Sequence, residues 1–205
     1  GYQAFIMMSI ASLFVLFRLN SLTKWKNILK GIYVILISFI LIYPYFSFSS
    51  YYNPLTKQPQ IDGTLWLKNE LSADYEIIEY FNKNIKGQPV ILEAQGDSYT
   101  DYARISSFTG LPTVAGWWVH EWLWRGSPDF VGNRIPDIQS IYESSDLSKT
   151  NQLIKKYDIE YVVVSGLEIA KYKSLNKNKF NQNFIKIFES SDKNGAIYKA
   201  KLGDT

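Results

Sequence analysis

Pro89-Val90-Ile91-Leu92-Glu93-Ala94-Gln95-Gly96-Asp97-Ser98 is a nearly continuous apolar run that ends in a polar, glycine-containing turn. Such a run is expected of a strand buried on both faces, as in a parallel sheet covered by helices. Upstream, Ser72 is placed to cap a helix whose first turn carries Asp74 and Glu76, favourable at the positive end of the helix dipole. Ile77, Ile78, Phe81 and Ile85 fall on one face at helical spacing, and Gly87 ends the pattern. Downstream, Tyr99 to Phe108 reads as helix, and Thr109-Gly110-Leu111-Pro112 as a turn into a short strand, Thr113-Val114-Ala115.

A second helix–strand unit follows. Leu147, Leu153, Ile154 and Tyr157 form a helical stripe, and Tyr161-Val162-Val163-Val164 is a β-branched strand ending at Ser165-Gly166. Ser174 to Asn183, rich in Asn and Lys, reads as an exposed loop. Phe184 to Phe188 and Ala196 to Ala200 read as a closing hairpin around Asp192-Lys193-Asn194-Gly195. The expected fold over residues 61–205 is therefore an α/β sandwich with a mostly parallel sheet and an antiparallel edge hairpin.

In open α/β sheets, ligands gather beyond the carboxyl ends of the strands. Three segments are expected there: Gln95 to Ser98, Gly116 to Gly126, and Ser165-Gly166. The second, Gly116-Trp117-Trp118-Val119-His120-Glu121-Trp122-Leu123-Trp124-Arg125-Gly126, holds four of the six Trp and the single His of the chain. Four indoles so close together cannot all face inward from one helix or strand. The partner of the outward faces is a lipid headgroup layer or a ligand ring; the inward ones belong to a core. The ligand reading assigns Trp117, His120, Glu121, Trp124 and Arg125 to substrate binding. His120-Glu121 starts like a zinc-hydrolase helix motif, but position 124 is Trp rather than His, so no metal site is assigned. Glu121 and Arg125 are also spaced as an ordinary helical ion pair.

Asp97, Tyr99, Tyr102 and Arg104 form a second constellation. Arg suits bidentate phosphate contacts, and the turn before a helix offers free N–H groups. The competing reading is a helix cap at Asp97 or Ser98 and a structural ion pair at Arg104. Glu93 lies inside an apolar strand and needs a partner if buried, with Arg104 and Arg125 the available cations.

The N-terminal quarter is of another kind. Tyr2 to Phe17 is almost wholly apolar, and Gly31 to Phe48 is a second uncharged run of about bilayer length. The first lacks a basic start and a small-residue cleavage site, so a transmembrane helix is preferred over a signal peptide. The chain starts with Gly and reads as the C-terminal piece of a longer membrane protein, its first helix cut short. The expected order is a transmembrane helix over 1–19, a basic loop over 20–30, a second transmembrane helix over 31–50 and a linker over 51–60. Arg18, Lys24, Lys26 and Lys30, without an acid among them, place that loop in the cytoplasm and the remainder outside the cell membrane. Tyr43, Tyr45, Tyr51 and Tyr52 flank the exit, where amphipathic rings favour the headgroups.

A net charge of +3 over 205 residues is too small for a nucleic-acid footprint. With no cysteine, the chain has no disulfide scaffold, thiol nucleophile or Cys-ligated metal.

Several stretches together resemble a known family. They are Ala73 to Ile78, Pro89 to Ala94, Ser98 to Ser106, Thr109 to Val114, Gly116-Trp117 with His120-Glu121 and Trp124-Arg125-Gly126, and Tyr161 to Val164 with Glu168. This combination resembles the C-terminal end of the prokaryotic YYY-type polytopic membrane proteins. That uncharacterised family is similar in architecture to C-type lipid-phosphate-sugar-dependent glycosyltransferases. The match covers Ile61 to Ala170 and is weak after Lys171. The resemblance implies a multi-pass protein with upstream transmembrane helices as partners of this segment. It also implies a catalytic acid and metal ligands on early outward loops, so no catalytic residue is carried over. No cofactor is expected in this fragment, and a divalent metal is left to the full-length protein. The expected role is to position a polyprenyl-phosphate sugar donor or its acceptor. The alternative is a membrane-tethered binding or structural module without chemistry.

Overall fold

The computed structural model describes residues 2–22, 24–51 and 62–201, with the backbone alone for 19–22 and 51. The chain divides into two compact units, Gly1–Ile61 and Asp62–Thr205.

The first unit contains α1 (Tyr2–Leu22) and α2 (Lys26–Tyr51). Among the described residues, one helix is long and apolar enough to cross a membrane, the stretch Lys26–Ser50 of α2. The apolar part of α1, Tyr2–Arg18, is shorter, so the expected pair of spans becomes one by length and composition. Phe39, Leu41 and Tyr43 are exposed on α2, as side chains facing hydrocarbon would be. The basic loop expected over 20–30 is largely helical: Lys26 and Lys30 lie in the first turns of α2. Of the linker expected over 51–60, the backbone of Tyr51 ends α2, while its side chain, Tyr52 and the rest up to Ile61 fall outside the described residues.

The second unit runs α3 (Leu65–Glu70), α4 (Ser72–Asn84), β1 (Val90–Leu92), α5 (Arg104–Thr109), α6 (Trp118–Arg125), α7 (Asp129–Gly132), α8 (Arg134–Glu143), α9 (Leu147–Lys156), β2 (Ile159–Val164), α10 (Gly166–Lys171), α11 (Lys177–Asn183), β3 (Ile185–Glu189) and β4 (Ala196–Lys199). One four-stranded sheet has the order β1-β2-β4-β3. Side chains alternate along β2 between its two faces. Val162 and Val164 join Leu92, Tyr142 of α8, Ile154 of α9 and Phe180 of α11 in one cluster. Tyr161 and Val163 join Ile91, Leu67 of α3, Ile77 and Phe81 of α4 and Ile105 of α5 in the other. The alternation explains why both faces of the sheet are helix-covered.

The sheet is mixed rather than mostly parallel. β1 and β2 are parallel, but β4 lies antiparallel beside β2, with Val162 opposite Tyr198, and β3 pairs antiparallel with β4 outside it. The hairpin thus supplies two of the four strands, β4 directly beside β2, where the sequence pattern placed it as an edge appendage. The strand expected at Thr113–Ala115 shrinks to one parallel bridge, Ile91 with Thr113. Its next carbonyl, that of Val114, accepts from the Arg134 guanidinium at 2.8 Å instead of a neighbouring strand. The helix expected from Tyr99 begins only at Arg104, because Tyr99 and Ala103 adopt left-handed backbone (φ 63° and 59°) that interrupts a right-handed helix. Ser72 does not cap α4: α3 leads straight into it through Leu71, and the Ser72 hydroxyl donates to Asp192.

The segment read as an exposed loop, Ser174 to Asn183, contains α11, with Phe180 fully buried and Lys179 only 4% exposed. Lys179 Nζ donates to the carbonyls of Ile141 (2.5 Å) and Ser144 (2.6 Å), tying α11 to the end of α8. Burial pushes its pKa down to about 8 from 10.5. The unfolded chain therefore holds this proton more tightly, and unfolding free energy rises with pH from about 8 towards 10. Above that, Tyr142 and Tyr172, whose pKa values burial raises, reverse the trend because the unfolded chain loses protons first. Urea midpoints across this range should climb less in Lys179→Met than in the parent; identical slopes would refute the assignment.

Candidate functional site

Beneath the carboxyl ends of β1 and β2 lies a buried ionic network. Arg104, 3% exposed, donates to Asp74 (2.6 Å), to the Ser165 hydroxyl (2.5 Å) and to both oxygens of Glu168 (3.2 and 3.0 Å). Glu168 also accepts the N–H groups of Ala94 (2.8 Å) and Ser165 (2.9 Å), and with Ser165 forms the capping box of α10. Burial alone would raise the Glu168 pKa, but the Arg104 charge and these hydrogen bonds hold it below the ordinary value. Burial likewise disfavours the Arg104 cation, and the charges of Glu168 and Asp74 more than restore it. Glu93, fully buried, finds its partners in neither Arg125 nor a direct bond to Arg104. Its two oxygens accept the N–H groups of Ile105 (2.8 Å) and Ser106 (2.9 Å), capping α5 from the residue that follows β1. Burial raises its pKa, with Arg104 and these bonds opposing. Arg104 and Glu93 thus belong to a buried network behind the strand ends, and neither is among the side chains lining the neighbouring cavity.

That cavity, about 360 Å³, is lined by Gln95, Gly96, Asp97, Tyr102, Trp118, Pro128, Gly132, Ile135 and Lys171. Two of the three expected segments meet in it, and the third enters through α10, which carries Lys171. Lys171 Nζ donates to the Gln95 carbonyl oxygen and lies 4.5 Å from the Tyr102 ring centroid. Its pKa is lowered by burial, with Asp97 and Glu168 opposing. Trp118 donates its indole N–H to Asp97 Oδ1 at 2.5 Å, and stacks at 5.8 Å on Trp122 one turn later. Gly96 is required here: a Cβ at this position would collide with the Tyr102 ring.

Next to the lining residues in sequence, Tyr99, Trp117 and His120 form a ring cluster. The His120 ring lies 5.1 Å from that of Tyr99, edge-on, and 5.4 Å from that of Trp117. Trp117 is fixed by its indole N–H, which donates to the Tyr102 carbonyl at 2.7 Å, while Tyr99 is 85% exposed. Glu121 accepts from the Gly116 N–H (2.8 Å) and from Arg125 Nε (2.9 Å), the helical pair anticipated, so it holds the entry to α6 in place. No residue of α6 is fully buried, and Trp124, 87% exposed, points away from any packed core. Among the described residues, no group of three or more His, Asp or Glu is placed to hold a metal ion.

The ten sequence-predicted residues therefore separate into four sets. Tyr99, Trp117 and His120 form a ring cluster; Asp97 and Tyr102 line the cavity; Glu121, Arg125 and Trp124 lie on α6, Glu121 holding its entry and the other two exposed; Glu93 and Arg104 belong to the buried network. Gln95, Trp118 and Lys171 went unassigned by sequence. The available signal for Lys171 was its place at the end of a short helix opening immediately after a parallel strand.

No protein-family profile matches the chain, and no curated protein matches it. Among solved structures, the C-terminal globular domain of an oligosaccharyltransferase (AfAglB-S2) from Archaeoglobus fulgidus is similar, with 11% identity and a TM-score of 0.41, over 62% of this chain and 97% of that one. What fold and site define is a mixed α/β domain, in a chain that also holds a helix long and apolar enough to cross a membrane, with a cavity lined in part by Tyr102 and Trp118 at the carboxyl end of its sheet.

Proposed function

We propose that this chain is the C-terminal part of a multi-pass, glycosyltransferase-like membrane protein. In this reading its α/β unit lies outside the cell membrane and positions a polyprenyl-phosphate sugar or its acceptor. The observation that carries the reading is the cluster of Tyr99, Trp117 and His120, whose ring centroids lie 5.1–5.8 Å apart and which is tied to the cavity-lining Tyr102 by the Trp117 indole N–H. Aromatic faces stack against the apolar faces of sugar rings, while the few polar groups nearby fix orientation. The sequence resemblance to the YYY-type family and the apolar helix α2 point the same way. Of the two arginines singled out in the sequence, Arg125, half-exposed and paired with Glu121, is the one accessible to a lipid phosphate, and Arg104 is buried. Transfer itself relies on an acid elsewhere in the full protein.

In nanodiscs, the chain should bind a polyprenyl-phosphate hexose saturably. Trp117→Ala and His120→Ala should each weaken binding about tenfold or more, about 1.4 kcal/mol per tenfold. Glu121→Ala and Arg125→Ala should act more weakly, through the placement of α6. Unchanged affinity in all four variants would sink the assignment.

A second reading, a tethered module without chemistry, draws on the outer face of α6. There Leu123 is 67% and Trp124 87% exposed, an apolar surface suited to lipid or another chain. It gains if sugar-free polyprenyl phosphate binds as tightly as the hexose-bearing lipid.

A further inference from the structure

We infer that the cavity beyond β1 and β2 is the seat of a single uncharged pyranose ring, held by Gln95, Asp97 and Lys171 against the Trp118 indole. This rests on the carbohydrate reading above and adds to it a ligand class and three residues that reading lacks. Size comes first. About 360 Å³ is near the lower bound of small-ligand sites, room for one ring rather than an extended chain. The lining is amphipathic in the way a pyranose is: Tyr102, Trp118, Pro128 and Ile135 supply apolar faces, and Gln95, Asp97 and Lys171 supply polar groups.

Those polar groups have capacity to spare. Gln95 lines the cavity and is 5% exposed, and its Oε1, itself buried, has no hydrogen-bond partner among the described residues; a turn of the amide towards the cavity would let a ligand hydroxyl relieve that cost. Asp97 gives one oxygen to Trp118 and keeps the other as an acceptor. Lys171 directs one of its three N–H donors to the Gln95 carbonyl and retains two. Charge selects the ligand class. An ammonium and a carboxylate share the cavity wall, so it has no net charge to attract a phosphate, and the nearest buried guanidinium, Arg104, is engaged with Asp74, Ser165 and Glu168.

The test uses the full chain in nanodiscs and saturation-transfer NMR with methyl glucoside, methyl mannoside, methyl galactoside and N-acetylglucosamine, with inorganic phosphate as competitor. At least one of these sugars should bind, without displacement by phosphate. Gln95→Leu and Lys171→Met should each weaken it tenfold or more, with melting temperature measured alongside. Reductive methylation of the unmutated protein gives a readout independent of variant folding: the bound sugar should protect Lys171. Displacement by phosphate, full affinity in both variants, or no protection of Lys171 would each overturn the inference. If polyprenyl-phosphate hexose binds but none of the free sugars does, this inference falls and the proposed function stands. If neither binds, both fall.

Discussion

Replacing Arg104 by methionine should destabilise the α/β unit by about 3–5 kcal/mol, the cost of leaving buried charges without their partner. Asp74 is 2% exposed and Glu168 fully buried, and both face the Arg104 guanidinium. Methionine fills similar volume but returns no charge or donor, so two carboxylates would share a dry site. The control is Arg125→Met. That side chain is 50% exposed and paired along a helix with Glu121, a geometry worth about 1 kcal/mol or less. Urea unfolding of both variants tests the contrast, and equal losses would contradict the burial argument. Acid should act on the same network. Glu168 has a folded pKa below its unfolded one, so its stabilisation is present above the unfolded value and is lost as pH falls through the folded value. Glu93 runs oppositely: its raised pKa makes its contribution one that is lost as pH rises through the folded value.

Tyr142→Ala should cost about 3–5 kcal/mol, in the range of large aromatic-to-alanine changes in cores. Tyr142 is fully buried in α8, stacks on Tyr172 with ring centroids 4.5 Å apart, and donates its hydroxyl hydrogen to the Val163 carbonyl at 2.8 Å, with that of Leu92 at 3.2 Å. It thus touches the carboxyl ends of both parallel strands. Tyr142→Phe keeps the packing and loses the hydroxyl, and should cost about 1 kcal/mol. Denaturant midpoints separate the two. A similar loss in Phe and Ala would shift the weight from packing to the hydrogen bond.

Much of the scaffold was legible because local periodicity encodes it. Ile77, Ile78 and Phe81 announced the buried face of α4, and Tyr161 to Val164 announced β2 by a β-branched run covered on both sides. The hairpin of β3 and β4 was visible in its turn residues. Where prediction failed, a specific competing contact decided. Left-handed backbone at Tyr99 and Ala103 delayed α5, Arg134 took the Val114 carbonyl from a would-be strand, and Phe180 with Lys179 turned an Asn/Lys-rich stretch into a buried helix. Of the four clustered indoles, which the sequence showed could not all face inward, Trp122 and Trp124 are exposed, but the roles of the charged residues were not readable.

The sequence by itself determined which segments are apolar enough to seek a membrane or a core, where helices and strands alternate, and which loops crowd the carboxyl end of the sheet. These follow from side-chain character repeated every two or three to four residues. Only the folded chain sets β4 beside β2, has Glu93 cap α5, brings Lys171 to the cavity and buries Arg104 in an ionic network. Arg104 meets Asp74 across 30 residues of sequence and Glu168 across 64, and nothing local records such a pairing. The cost of burying a charge without a partner is what brings these distant residues together, and it is felt only once the chain has folded around them.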